Sequence, residues 1–246
     1  MSLYSRIVPY ITLGYPDMET TNQFIQLCYR LGIKTIEIGV PFSDPMADGP
    51  VIQSAGDYAR KKGIHFGSLE DLVIQPDKAD HYIMTYANLF LHRGPEKTFT
   101  WLQSMGYQGA IIPDANFGVD SALTVDKKKD FALVSFISTT TDDHRIIEIA
   151  RQAQGFIYAV SSPNVTGKSV DTFDAIESKI TLAKQHTRTP INIGFGIKDA
   201  AAVRRALNVA DGAIIGTALI QCINADASTS QNLKAMEDYL ITLSDS

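Results

Sequence analysis

Short β-branched and apolar runs recur along the whole chain, and their spacing limits the possible folds more than any other feature. They are Ile7–Leu13, Thr35–Val40, Tyr82–Tyr86, Ala110–Ile112, Phe131–Ile137, Phe156–Val160, Ile191–Ile193 and Ala213–Ile215. Eight runs in 246 residues recur about every 31 residues, the size of one strand–helix unit. Helical periodicity fills the intervals. Thr20–Leu31 sets Phe24, Ile25, Leu27, Cys28 and Leu31 on one stripe, and Lys97–Met105, His144–Gln152, Thr172–Lys184 and Ala200–Val209 are built alike. With no linker and no composition break, this pattern predicts one α/β domain over residues 1–246, a (β/α)8 TIM barrel. A doubly wound open sheet is the alternative arrangement.

Composition removes several function classes. The 17 Gly and 10 Pro are near background, which argues against disorder and fibrous repeats. A net charge of −5 offers no electrostatic footprint for nucleic acid, so an anionic ligand must be held locally. Two cysteines, Cys28 and Cys222, are too few for a disulfide framework or a four-cysteine zinc site. Met1–Tyr10 lacks the apolar core of a signal peptide, and no apolar run reaches the ~18 residues of a membrane span. The expectation is a cytoplasmic protein in a reducing compartment, with no membrane partner.

In a barrel of this kind, reactive groups gather at the C-terminal ends of the strands. The second strand runs into a long loop there, IEIGVPFSDPMADGPVIQ (Ile36–Gln53). Alternation puts Ile36 and Ile38 on one face and Glu37 on the other. If Glu37 faces the interior, burial raises its pKa and suits it to proton transfer near neutrality. Otherwise it forms a salt bridge at the rim. Asp44 and Asp48 sit in the proline-stiffened loop, either facing a ligand or capping the helix that Gly49-Pro50 begins. Tyr158 lies within the sixth strand and needs a hydroxyl partner if buried, which Glu37, a substrate hydroxyl or the backbone would supply. After the seventh and eighth strands stand Gly194, Phe195 and Gly196, then Gly216 and Thr217. Glycines there admit close backbone approach, and a short helix from Thr217 would point its N-terminus at an anion, the arrangement of a barrel phosphate site. The VTGKS run, Val165–Ser169, is placed to close that site from the side.

The five histidines form no ligand pair, so no metal site is expected. No lysine lies in a strand core for a Schiff base, and no dinucleotide fingerprint is present. What remains is cofactor-free acid–base chemistry on a small phosphorylated molecule.

The Ile36–Gln53 run resembles the signature of the tryptophan synthase alpha family. So do Pro9–Asp17 (PYITLGYPD), Met84–Asn88 (MTYAN), Val165–Gly167 (VTG), Gly194–Ile197 (GFGI) and Ala210–Leu219 (ADGAIIGTAL), in the family's order over essentially the whole chain. The resemblance implies a barrel lyase that cleaves indole-3-glycerol phosphate to indole and glyceraldehyde 3-phosphate, with no cofactor of its own. It implies Glu37 as the proton shuttle, Asp48 as the anion that binds the indole N–H, and Tyr158 beside the glutamate. It places phosphate at Gly167, Gly196, Gly216 and Thr217, the last often Ser in the family. Tyr10, Met84, Ile111, Ile137 and Phe195 would wall the indole. The chemistry calls for a raised pKa at Glu37 and a low one at Asp48. The implied partner is a pyridoxal-phosphate-bearing beta subunit in an alpha2-beta2 assembly, met through the loops around Pro45 and VTG.

The chain departs from the family in three places. Ser161–Asn164 reads SSPN where the family has S-R-x-G, so Pro163 stiffens the closure loop and Asn164 replaces a glycine. Pro113–Asp120 keeps Asp114 but lacks a following proline and acidic pair. The first strand begins too early for the N-terminal helix that plugs the family's barrel bottom. A stand-alone lyase and a non-catalytic regulatory barrel are the alternative readings.

Overall fold

The computed structural model describes residues 2–115, 123, 131–160, 172–194 and 196–244. Strand β1 (Ile7–Thr12) is followed by helix α1 (Met18–Leu31), β2 (Thr35–Gly39) by α2 (Pro50–Lys61), and β3 (Asp80–Met84) by α3 (Ala87–Arg93) and α4 (Pro95–Ser104). Then come β4 (Gly109–Ile111), β5 (Ala132–Leu133), β6 (Ser135–Ser138), α5 (Asp143–Gln152), β7 (Ile157–Val160) and α6 (Thr172–Lys184). The order ends with β8 (Ile191–Gly194), α7 (Ala200–Val209), β9 (Gly212–Ile215), α8 (Thr217–Ile220) and α9 (Thr229–Thr242).

All pairings are parallel, in the order β5-β4-β3-β2-β1-β9-β8-β7-β6. Only Val134 separates β5 from β6, and its N–H donates to the Ala110 carbonyl at 2.9 Å. The two pieces are therefore one bent strand, which joins β4 on one side to β7 on the other and closes an eight-membered barrel. The single run Phe131–Ile137 expected from the sequence is this strand, interrupted where it changes neighbour.

Alternation divides the strand residues into two layers. Ile7, Ile11, Ile36, Ile38, Ile83, Ile191 and Ile193 pack with the helices. Val8, Tyr82, Ile111, Val134, Phe156, Tyr158 and Ile214 form a separate cluster inside the barrel. Helix α1 shows how the sequence drives the outer layer. The Asp17 carboxylate accepts the Thr20 N–H at 2.7 Å and starts the helix, and Gly32, with φ of 78°, ends it. Between these signals Phe24, Ile25 and Cys28 are fully buried, each of the two larger side chains worth roughly 1.5–3 kcal/mol of apolar transfer.

At the N-terminal end of the barrel a 3-10 turn, Leu3–Arg6, precedes β1. The Arg6 guanidinium donates to the carbonyls of Leu207, Ala210 and Asp211 at 2.7, 2.8 and 3.0 Å. It thereby satisfies acceptors that the end of α7 leaves open. Among the described residues no helix is long and apolar enough to cross a membrane.

Candidate active site

Glu37 sits in the middle of β2, in register with Tyr10 of β1 and Tyr82 of β3. Its neighbours Ile36 and Ile38 go to the helix layer, so the carboxyl group points into the barrel. It is 1% exposed, and Oε2 has no hydrogen-bond partner among the described residues. Among the described residues it forms no rim salt bridge. Burial, and secondarily the nearby Asp48 charge, push its pKa up to about 8. At neutral pH this carboxyl group carries a proton.

Two tyrosines flank it, and each depends on a glycine of the next strand. The Tyr10 ring and hydroxyl fill the space that a Cβ on Gly39 would occupy. The Tyr158 ring does the same over Gly194, where a Cβ would lie 2.6 Å from a ring carbon. Both rings are buried, and the charges of Glu37 and Asp48 oppose ionisation of both hydroxyls. Tyr158 also stacks on Phe136, with centroids 5.3 Å apart.

The loop after β2 brings Asp48 to this end of the barrel. It is a series of tight turns, with the Met46 N–H on the Asp44 carbonyl at 2.9 Å and the Asp48 N–H on the Pro45 carbonyl at 3.1 Å. The Gln53 side chain ties the loop to α2 by donating to the Asp48 carbonyl at 2.8 Å. Asp48 does not cap α2. Gly49 holds the N-cap position with no side-chain cap, and Pro50 opens the first turn. The Asp48 carboxylate instead accepts a hydrogen bond from the Tyr86 hydroxyl, Oη to Oδ2, at 3.1 Å. Its pKa is raised to about 6 by burial, with the Tyr86 bond pulling the other way. The low value expected of Asp48 is thus corrected: one hydroxyl donor does not offset the loss of water. The ordering survives, because Glu37 is raised further. Asp44, in the same loop, is exposed.

Tyr86 is the residue that sequence reading passed over. It lies two positions beyond β3, in the MTYAN segment that also holds Met84. Its place at a strand's C-terminal end was the available signal.

The strand ends β8 and β9 lie side by side. Gly196, just beyond β8, has a φ of 75° and open space where a Cβ would stand. Gly216 follows β9 and begins α8, whose Leu219 and Ile220 N–H groups return to the Gly216 carbonyl at 2.9 and 3.1 Å. The N–H groups of Thr217 and Ala218, which open the helix, have no such intrahelical acceptor, and Thr217 is exposed. Gly167 and Phe195 lie outside the described residues, as does the segment containing VTG and Ser161–Asn164.

Of the expected indole wall, Tyr10 faces the interior, in register with Glu37 and lying over Gly39, as do Met84 and Ile111, Met84 standing in register with both Gly39 and Ile111. Ile137 does not. Its neighbour Phe136 stacks on Tyr158, so alternation turns Ile137 outward, where it packs with the helix layer. Phe136 is the interior residue at that level. Among the described residues no three His, Cys, Asp or Glu side chains gather to hold a metal ion.

Comparison with known proteins gives a consistent result. The family model described as tryptophan synthase alpha chain matches residues 4–245. A tryptophan synthase alpha chain of Microcystis aeruginosa is 34% identical over 242 residues, covering 96% of this chain and 91% of the relative. The Arabidopsis thaliana protein of the same description is 34% identical, covering 96% and 88%. Among solved structures, the tryptophan synthase alpha subunit of Campylobacter jejuni superposes with a TM-score of 0.83 at 31% identity, covering 96% of this chain and 97% of that one. A structure from Pyrococcus furiosus, described as a tryptophan synthase a2b2 complex, shares the fold at 24% identity and a TM-score of 0.83, covering 99% of each chain.

Proposed function

This chain belongs to the tryptophan synthase alpha chain family, carbon–carbon lyases that cleave indole-3-glycerol phosphate, and from that premise we propose how its own residues carry the reaction. Residues 1–246 act in this reading as one barrel domain. Glu37 starts protonated and gives its proton to indole C3, which turns the ring into an electron sink. The Asp48 carboxylate accepts the indole N–H and stabilises the positive charge that develops on the ring. The C3–C3′ bond then breaks and its electron pair returns to the ring. The C3′ hydroxyl becomes the aldehyde of glyceraldehyde 3-phosphate, and its proton returns to the Glu37 carboxylate. The acid is regenerated, and no redox equivalent is consumed.

The observation that carries this reading is the pair of carboxyl groups with separated pKa values. Glu37 at about 8 and Asp48 at about 6 are proton donor and fixed anion at the same neutral pH. The apolar rings of Tyr10 and Tyr158, with Met84 and Ile111, suit an indole and exclude water. Phosphate is assigned to Gly196, Gly216 and Thr217, with Gly167 as a fourth contact. Gly196, Gly216 and Thr217 are supported by the open backbone after β8 and the start of α8.

No cofactor is assigned to this chain, and pyridoxal phosphate is assigned to a beta subunit. That partner would dock on the loop around Pro45, where the Met46 side chain is 73% exposed. Cytoplasmic residence is part of the same proposal. Indole release by the purified chain, with and without a beta subunit, tests all of it. Weak activity alone and strong activation by the partner support the synthase assignment. Strong activity that ignores the partner marks a stand-alone lyase, and no activity in either case marks a non-catalytic barrel.

A further inference from the structure

Tyr86 makes three contacts that converge on one loop. Its hydroxyl donates to Asp48 Oδ2 at 3.1 Å, and the same oxygen accepts the Ala47 N–H at 3.0 Å. One oxygen therefore fixes both the side chain of Asp48 and the backbone just before it. The Tyr86 ring stacks on Phe42, near the start of that loop, with centroids 5.0 Å apart and planes 22° from parallel. Behind it, Asp114 beyond β4 accepts the Ala87 N–H at 2.9 Å and holds the residue that follows Tyr86. The ring is 3% exposed, whereas Ser43, Asp44 and Met46 of the loop are exposed. A buried aromatic thus anchors a loop with little other purchase on the barrel.

We infer that Tyr86 is a positioning residue for Asp48, holding Oδ2 so that Oδ1 is the oxygen offered to the substrate's indole N–H. No described hydrogen bond engages Oδ1. The inference rests on the reading that Asp48 acts on the indole nitrogen. A free loop carboxylate would rotate about its side-chain bonds and would offer either oxygen from a range of positions. A donor fixed on the barrel removes that freedom before substrate arrives, which is how preorganised groups lower barriers. The donated hydroxyl also favours the ionised carboxylate. Asp48 itself responds to burial and to the Tyr86 hydroxyl; its charge in turn faces Glu37 from β2, Tyr10 from β1 and Tyr158 from β7, and Asp114 faces Tyr86.

The test is a double-mutant cycle on indole release from indole-3-glycerol phosphate, using Tyr86→Phe, Asp48→Asn and the two combined. Phenylalanine keeps the stack on Phe42 and removes only the hydroxyl. We expect Tyr86→Phe to lower kcat about tenfold, the scale of one hydrogen bond to a charged group, with KM changed less than about twofold. Its acidic limb should move to higher pH, because the lost donor had favoured the ionised form. In the Asp48→Asn background the same change should cost almost nothing further. Wild-type kcat with an unmoved acidic limb in Tyr86→Phe would overturn the inference. So would losses that multiply in the double variant. If Asp48→Asn itself turns over like the wild type, the assignment of Asp48 has failed, a distinguishable result. Should Tyr86→Phe not fold, Phe42→Leu loosens the same ring, with a smaller kcat loss that must also vanish beside Asp48→Asn.

Discussion

Glu37 and His81 lie one register step apart on neighbouring strands, β2 and β3, and both are buried with one atom lacking a partner. Their fates differ because they point to opposite faces of the sheet. Glu37 enters the barrel, and burial lifts its pKa to about 8, so it holds a proton it can give. His81 enters the helix layer, where its Nε2 lies 2.7 Å from the Tyr29 hydroxyl and burial lowers its pKa to about 4. The histidine is therefore neutral and inert at the same pH. Burial penalises the charged form in both cases. It makes a usable acid of the carboxyl group and removes one from the imidazole. The residue type usually regarded as the catalytic proton carrier is here structural, and the face it occupies decides that.

Substitutions at the two positions should separate function from stability. Glu37→Gln carries the largest expected effect, a loss of turnover of about 10²–10⁴-fold with glycerol phosphate binding retained. Its stability should move the other way. The folded-state pKa of Glu37 is raised from the ordinary 4.5 to about 8, so the wild type loses stability as pH rises through that interval. Thermal unfolding of Glu37→Gln should therefore gain on the wild type with rising pH, and an equal Tm difference at pH 5 and pH 8 would contradict the buried, protonated carboxyl group.

Asp48→Asn comes next, with turnover reduced about 10²-fold and affinity for glycerol phosphate reduced far less. Equal losses in both measurements would reduce Asp48 to a shaper of its loop. His81→Leu should leave kcat within about twofold while costing roughly 1–3 kcal/mol through the Tyr29 hydroxyl it abandons. Because the folded pKa of His81 is lowered, from 6.5 to about 4, its contribution is present above pH 6.5 and is lost as pH falls toward 4. Denaturant titrations of the variant should show a flatter acid side than the wild type. The smallest effect belongs to Asp17→Ala, about 1 kcal/mol from the lost cap of α1, with activity unchanged. A marked fall in turnover there would mean that the loop after β1 takes part in the site.

The same contrast explains what could be read without coordinates. Period and alternation are local signals: they located the strands and the glycines after β8 and β9, and they set Glu37 on the face opposite Ile36 and Ile38 without deciding which face is the interior. Other features depended on residues distant in sequence. The strand breaks at Val134 because its first half pairs with β4 and its second half with β7, which no local pattern encodes. The Asp48 pKa depends on how little donor capacity meets a buried loop carboxylate, and its one donor among the described residues comes from Tyr86, 38 residues away. Ile137 was assigned by likeness to the family, whereas alternation from Val134 would have selected Phe136.

The pH dependence of kcat/KM for indole release by the wild-type chain tests the central claim most directly, since it reports the protonation states of the free enzyme's acid and base. A protonated Glu37 and an ionised Asp48 predict a bell with limbs near 6 and 8, belonging to the coupled pair as a whole. An activity that keeps rising above pH 8 would mean that Glu37 must be ionised at the outset, and the assignment of proton donor and fixed anion would be wrong.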